Sequence, residues 1–164
     1  TNKSMTIEQK DTCIMCRTRQ VPNGSKEDIA RLQEWVKKGK AWAMEMLAQR
    51  YKDGVGVKQS DTKAIELYEK AAKKGQAHAQ YNLGVCYNQG RLGLTQSFKK
   101  AIEYYTLASE QGHAEAQSNL GNMYIEGDGT ETSYSKARDL WTKAAAQGNA
   151  NAINGLKQLD ELGL

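Results

Sequence analysis

Long apolar runs are missing from this sequence. No stretch approaches the roughly 18 residues that a membrane-crossing helix needs. The first residues also lack the apolar centre of a secretory leader. No membrane contact is therefore expected. Cysteine is scarce, with three in 164 residues. They stand at Cys13, Cys16 and Cys86, too few and too uneven for a disulfide framework. A reducing location, cytoplasmic or nuclear, is expected. Histidine occurs twice and proline once, at Pro22. There is no H-E-x-x-H motif, no nucleophile elbow and no glycine loop following a strand. No catalytic residue is assigned. Alternating strand patterns are absent too. The net charge is +4, but its basic residues are scattered pairs: Lys37-Lys38, Lys73-Lys74 and Lys99-Lys100. Each reads as solvated helix surface. Without a basic run interleaved with aromatics, nucleic acid is not an expected partner.

What is present is a repeat. Gly39, Gly75, Gly112 and Gly148 follow one another at intervals of 36, 37 and 36 residues. Two positions after each comes Ala41, Ala77, Ala114 or Ala150, and two later Ala43, Ala79, Ala116 or Ala152. Leu47, Leu83, Leu120 and Leu156 come next, then Tyr51, Tyr87 and Tyr124. A second half repeats as Lys63-Ala64, Lys100-Ala101 and Lys136-Ala137. It continues with Tyr68, Tyr105 and Trp141, then Ala71, Ala108 and Ala144. A fixed period of this length marks a stacked-repeat architecture.

Ala79, Leu83 and Tyr87 step by four and share one helix face. Ala101, Tyr105 and Ala108 form a second apolar stripe. Gly90 and Gly93 separate the two, and Gly112 stops the second helix. The unit is a helix–turn–helix hairpin that cannot bury its apolar face alone. First helices are expected near 40–52, 76–89, 113–126 and 149–161. Second helices are expected near 60–74, 96–111 and 133–147. Gly84 and Gly121 sit inside helices, where glycine costs about 1 kcal/mol against alanine. Recurring at one position, they predict a tight contact. The aromatics of the repeat are expected in the core.

The run A-x-A-x-x-x-L-G-x-x-Y-x-x-G, then K-A, then Y/W-x-x-A and a closing glycine, resembles the Sel1-like repeat, a relative of the tetratricopeptide (TPR) repeat. The resemblance covers about residues 39–161. It implies an all-α, right-handed α-solenoid with repeats at about 39–75, 76–112 and 113–148. A capping helix is expected at 25–38 and another at 149–161, completing a repeat domain at 25–164. Lys157 and Asp160 stand where glycine and tyrosine would fall, so the last unit reads as a polar cap. The second inter-helix loop is one residue longer than the first. By resemblance, the chain is a protein- or peptide-binding scaffold or adaptor, expected as a monomer and without a cofactor.

Residues 1–24 are polar and irregular. Ser25, with Asp28 three residues later, opens the capping helix in a capping-box-like arrangement. Cys13-Ile14-Met15-Cys16-Arg17 resembles the last ligand pair of a RING-type zinc finger. That resemblance implies an alternative role, the substrate-recruiting region of a RING-type ubiquitin ligase. Two cysteines do not complete a zinc site, which takes four ligands. Cys13 and Cys16 would hold Zn only with ligands from upstream or from a second chain. Cys86, on the core side of its helix, reads as a packed thiol.

A binding face is expected on the first helices. At 100° per residue, His78, Asn82, Val85 and Gln89 form a stripe about 100–120° from the core direction. Trp42, Met46, Gln49 and Asp53 are its equivalents in the first repeat. Glu115, Asn119, Asn122 and Glu126 are those in the third. The TPR resemblance implies that this stripe lines the inner, concave surface. Asn82 and Asn119 lead the candidates, since an amide offers both donors and an acceptor. The alternative is that they bond to adjacent helices and stabilise the stack. Trp42 stands between two core alanines, either as a partner anchor or packed under the capping helix.

Overall fold

A computed structural model describes residues 24–164. Among these residues there are eight helices and no strand. They are α1 (Lys26–Lys37), α2 (Ala41–Asp53), α3 (Asp61–Lys73), α4 (Ala77–Gln89), α5 (Phe98–Glu110), α6 (Ala114–Glu126), α7 (Tyr134–Ala145) and α8 (Ala150–Leu162). Cys13 and Cys16 lie outside the described residues. Each helix packs chiefly against its neighbours in the chain, and α6 also touches α8. The result is a solenoid of three hairpins, α2–α3, α4–α5 and α6–α7, closed by α1 and α8.

Local chemistry fixes the helix ends. Ser25, Ser60, Ser97 and Ser133 cap α1, α3, α5 and α7, each hydroxyl accepting the backbone N–H three residues on. Such caps satisfy an amide that the helix itself leaves unpaired. The first helices end on Gly54, Gly90, Gly127 and Gly163, all left-handed. The second helices start and stop inside the expected limits, because the serine caps set their N-termini. The longer second loop is absorbed by Leu92, at φ 56°. A leucine is uncommon in that region; here it is half-buried against the core.

Each hairpin also carries a clasp. The N–H groups of Ser60, Ser97 and Ser133 donate to the carbonyls of Tyr51, Tyr87 and Tyr124 at 2.9, 2.8 and 2.8 Å. The lysine three residues after each serine then covers the same tyrosine. Lys63, Lys100 and Lys136 place Nζ 5.0, 4.8 and 5.1 Å from the ring centroids of Tyr51, Tyr87 and Tyr124. This corrects two expectations. Tyr51 and Tyr124 are only half-buried, whereas Tyr87, which also stacks on Tyr104 at 5.7 Å, is buried. Lys100 is not merely solvated, and neither is Lys38, which lies 4.5 Å from the Trp35 ring centroid.

The buried aromatics are Tyr68, Tyr87, Tyr105 and Trp141. A Cβ at Gly84 would lie 2.5 Å from Tyr105 Cδ1, and one at Gly121 would lie 2.5 Å from Trp141 Nε1. The helical glycines make room for the partner helix's ring. Cys86 is buried, and burial pushes its thiol pKa up. It is a packed thiol, as expected.

The capping helix α1 docks through its first turn. Asp28 accepts from Gly24 N at 2.9 Å and pairs with Arg50 at 3.3 Å. The reciprocal bond of the box thus goes to Gly24 rather than Ser25. Gly24 rests on Gly56, where a Cβ would come within 2.0 Å of the Gly24 carbonyl oxygen.

Candidate binding groove

The predicted stripe falls on the first helices α2, α4 and α6, and Asn151 and Gln158 continue it on α8. Two clefts open along it. One, of about 260 Å³, is lined by residues that include Asn88, Gln89, Asn119, Asn122, Glu126 and Asp128. The other, of about 470 Å³, lies between α6 and α8. Asn122, Glu126, Asn151, Asn154 and Gln158 are among its walls. The structure thus brings Gln89, Asn119, Asn122 and Glu126 together and extends the amide row beyond the residues expected from sequence.

The first-repeat members are engaged differently. Trp42 packs on Trp35 with ring centroids 5.8 Å apart, which accounts for its bulk within the chain itself. Met46 is half-buried against the same core. Gln49 accepts from the Tyr68 hydroxyl at 2.8 Å and donates to Asp53. The Tyr68 hydroxyl pKa is raised, first by burial and then by the charge of Glu45.

Asn82 and Asn119 hold equivalent positions with unequal surroundings. Asn119 Nδ2 donates to the Tyr105 hydroxyl at 3.3 Å. Burial, opposed by this bond, pushes the Tyr105 pKa up to about 12. Tyr68, the counterpart of Tyr105, instead turns its hydroxyl to Gln49. Val85 replaces Gln49 in the next repeat, so Tyr105 has no such acceptor there. Asn82 makes no side-chain hydrogen bond among the described residues. Asn119 therefore serves the stack as well as the cleft, while Asn82 and the exposed Asn122 remain available. We expect Asn119→Ala to cost about 1 kcal/mol through the lost bond and Asn82→Ala markedly less. Urea unfolding of the two single variants checks this; equal midpoints would contradict it.

His78 and His113 meet at the N-terminal end of the stripe. His113 Nδ1 accepts the Ala116 N–H at 3.3 Å and so caps α6. Its proton therefore sits on Nε2, 3.1 Å from His78 Nδ1. The ring stacks on Tyr81 at 4.7 Å. Burial, followed by His78, lowers the His113 pKa below 6.5, and Glu115, 3.3 Å from Nδ1, opposes them. A histidine with a lowered folded pKa is neutral when folded, and the unfolded chain takes up protons first. Its contribution is full above pH 6.5 and falls away as pH drops toward the folded value. Wild type should thus lose stability below pH 6.5 more steeply than His113→Asn. Asparagine keeps the cap, as Asn149 does for α8. Urea midpoints at pH 7.5 and 5.5 measure the difference; identical slopes would rule His113 out as the titrating group.

Two features of the stack are invisible in the stripe pattern. Gln80 and Gln117 are buried and bond across helices. Gln80 Nε2 donates to Ala72 O at 3.2 Å, and Gln117 Nε2 to Ser109 O at 3.2 Å. Gln111 and Gln147 then donate to Gln80 and Gln117 at 2.6 and 3.0 Å. The signal was available, since both pairs recur at the repeat period. No group of three or more metal-ligating side chains occurs among the described residues. No helix among them is long and apolar enough to cross a membrane.

Comparison with known proteins agrees with this geometry. The Sel1 repeat model matches residues 43–76, 77–113 and 114–149. A comparison with curated protein sequences gives no match. Among solved structures, a protective antigen of uropathogenic Escherichia coli with an SLR fold is 38% identical, with a TM-score of 0.78. The match covers 81% of this chain and 28% of that one. A Sel1 repeat protein from Oxalobacter formigenes is 32% identical, with a TM-score of 0.73, over 76% of this chain and 49% of that one. The matched part thus spans about a quarter and a half of those two proteins. Cysteine rich protein B of Helicobacter pylori, at 20% identity and a TM-score of 0.59, covers 77% of this chain and 95% of that one, and shares the fold. Three matched repeats on an all-helical solenoid place this chain in the Sel1 repeat family.

Proposed function

We propose that this chain is a non-enzymatic scaffold that binds a protein partner, through an extended segment, along the first-helix face. One observation carries the reading. Amide side chains from successive first helices line two adjoining clefts, with Asn122 and Glu126 shared between them. Amides bind a peptide backbone without demanding a charge from it. Sel1 repeats commonly serve protein interaction, which supports the same reading. The ligase-recruiting alternative rests on Cys13 and Cys16, and no feature of the described face favours it.

The test compares two surfaces. The chain is immobilised as wild type, as Asn82→Ala with Asn122→Ala, and as Lys99→Ala with Glu103→Ala on the second-helix side. A partner retained by wild type and by the second-helix variant, but lost by the amide variant at an unchanged urea midpoint, supports the proposal. Retention by the amide variant and loss by the second-helix variant would place binding on the other face. The change Asn82→Ala with Asn119→Ala is a poorer test, because Asn119 also holds Tyr105.

A further inference from the structure

We infer that His78 and His113 form a chelating pair for one divalent late transition-metal ion, held between His78 Nδ1 and His113 Nε2 where α4 and α6 meet. The site is independent of the peptide groove and lies at the N-terminal end of the same face.

Four observations converge on an ion. First, the chain has two histidines, and the fold sets them ring to ring although they stand 35 residues apart. The repeat does not demand this. The equivalent positions at the neighbouring seams hold Trp42 with Gln76 and Glu115 with Asn149. Second, the distances fit a shared ion better than a hydrogen bond. The facing nitrogens are 3.1 Å apart and the ring centroids 4.7 Å apart. With each nitrogen about 1.15 Å from its ring centre, an in-line N–H···N bond would separate the centroids by about 5.4 Å. An ion about 2.05 Å from both nitrogens would hold them at about 98° and separate the centroids by about 4.8 Å. That angle lies between the octahedral and the tetrahedral values. Third, each ring has a carboxylate to balance the charge. Glu115 lies 3.3 Å from His113 Nδ1, and Glu45 is near enough for the charge of His78 to act on its carboxyl. Fourth, one ligand is fixed and the other accessible. His113 stacks on Tyr81 and its side chain is 7% exposed, whereas His78 is exposed. Binding relocates one proton. The ion takes the Nε2 lone pair of His113, the proton of that nitrogen passes to Nδ1, and Glu115 accepts from it. A carboxylate in this place steadies a metal-bound imidazole. The Ala116 N–H gives up its 3.3 Å bond in exchange. Imidazole suits zinc, copper and nickel, whereas magnesium and calcium take oxygen ligands. No third side chain joins the two rings among the described residues, so water fills the remaining positions.

The test uses the full chain labelled with nitrogen-15 and carrying Cys13→Ser and Cys16→Ser, so that no thiolate pair competes for the ion. Zinc chloride is the probe, at pH 7.5, and the imidazole nitrogens are read directly by long-range proton–nitrogen spectra. With two histidines in the chain, each ring is resolved. His78 Nδ1 and His113 Nε2 should shift together along one binding curve, and the His113 proton should appear on Nδ1. Magnesium chloride should move neither ring. Zinc should also raise the urea midpoint, as a ligand of the folded state does, and His78→Ala should abolish that rise. Glu115→Ala should weaken zinc binding about tenfold, the low end for losing a group that orients a metal ligand. Rings that stay in place at millimolar zinc would overturn the site. So would a shift of one ring alone, or of the two along separate curves, because that is binding at single surface histidines. An equal response to magnesium would overturn the class of ion. Unchanged affinity in Glu115→Ala would overturn the part given to that carboxylate.

Discussion

Replacing Gly121 with leucine should lower the stability of the chain by about 3 kcal/mol, the upper part of the overpacking range. Trp141 cannot step aside. A Cβ at Gly121 would lie 2.5 Å from its Nε1, and a Cβ at Gly155 would lie 2.7 Å from its Cζ3. The indole therefore sits between two glycine surfaces, and its Nε1 donates to Ser118 O at 3.1 Å. Leucine is the better helix former by about 1 kcal/mol, so the sign of the result is informative. Only a real clash can outweigh that gain. The damage should also be local, because stacked repeats are coupled mainly to their neighbours. Amide exchange should quicken in α7 and α8 before α2 and α3. Gly84→Leu should show the same sign, since Tyr105 fills the corresponding space. An unchanged or higher urea midpoint for Gly121→Leu would show that the ring has room to move.

The architecture was legible because its signals are periodic. Alanine, leucine and aromatic residues recur at helix spacing, and glycine recurs at every helix end, so hairpins and their stacking followed. Less legible was the work done by each recurring residue. Gly84 and Gly121 announced a tight contact correctly, but not that it would be an aromatic ring. Lys63, Lys100 and Lys136 repeat visibly, yet a lysine on a helix reads as solvated until its tyrosine is in place. The expected site was partly legible for a similar reason. Stripe position places Asn82 and Asn119 on one face, but not whether a hydroxyl waits beside them. The change from Gln49 to Val85 decides that, and its consequence appears one repeat later, at Asn119. Trp42 likewise reads as an anchor or a packed ring until Trp35 is seen against it. Gln80 and Gln117 were missed because a polar residue is expected on the surface.

Those glutamines give the second large effect. Gln117→Ala should cost about 2–3 kcal/mol, combining a cavity with two lost hydrogen bonds. Its amide joins three helices: it belongs to α6, donates to Ser109 of α5, and accepts from Gln147 just beyond α7. Removing it takes one of two donors from Ser109 O, which keeps the Gly112 N–H, and one of two acceptors from Gln147, which keeps Lys143 O, and it opens the seam between the second and third hairpins. Gln117→Met separates the contributions. Met44 occupies the equivalent buried position of the first repeat, so methionine fits the space while making neither bond. It should cost about 1 kcal/mol, nearer a single net hydrogen bond. Gln117→Glu gives the sharpest contrast. A carboxylate can accept from Gln147 but faces Ser109 O with a second acceptor, in a buried place that penalises charge. Protonation restores a donor, so this variant should be far weaker than wild type at pH 7 and recover part of the loss at pH 4.5. Urea unfolding at the two pH values measures it. If the glutamate variant matched wild type at pH 7, the amide bridge would be incidental, and apolar contact alone would join the hairpins.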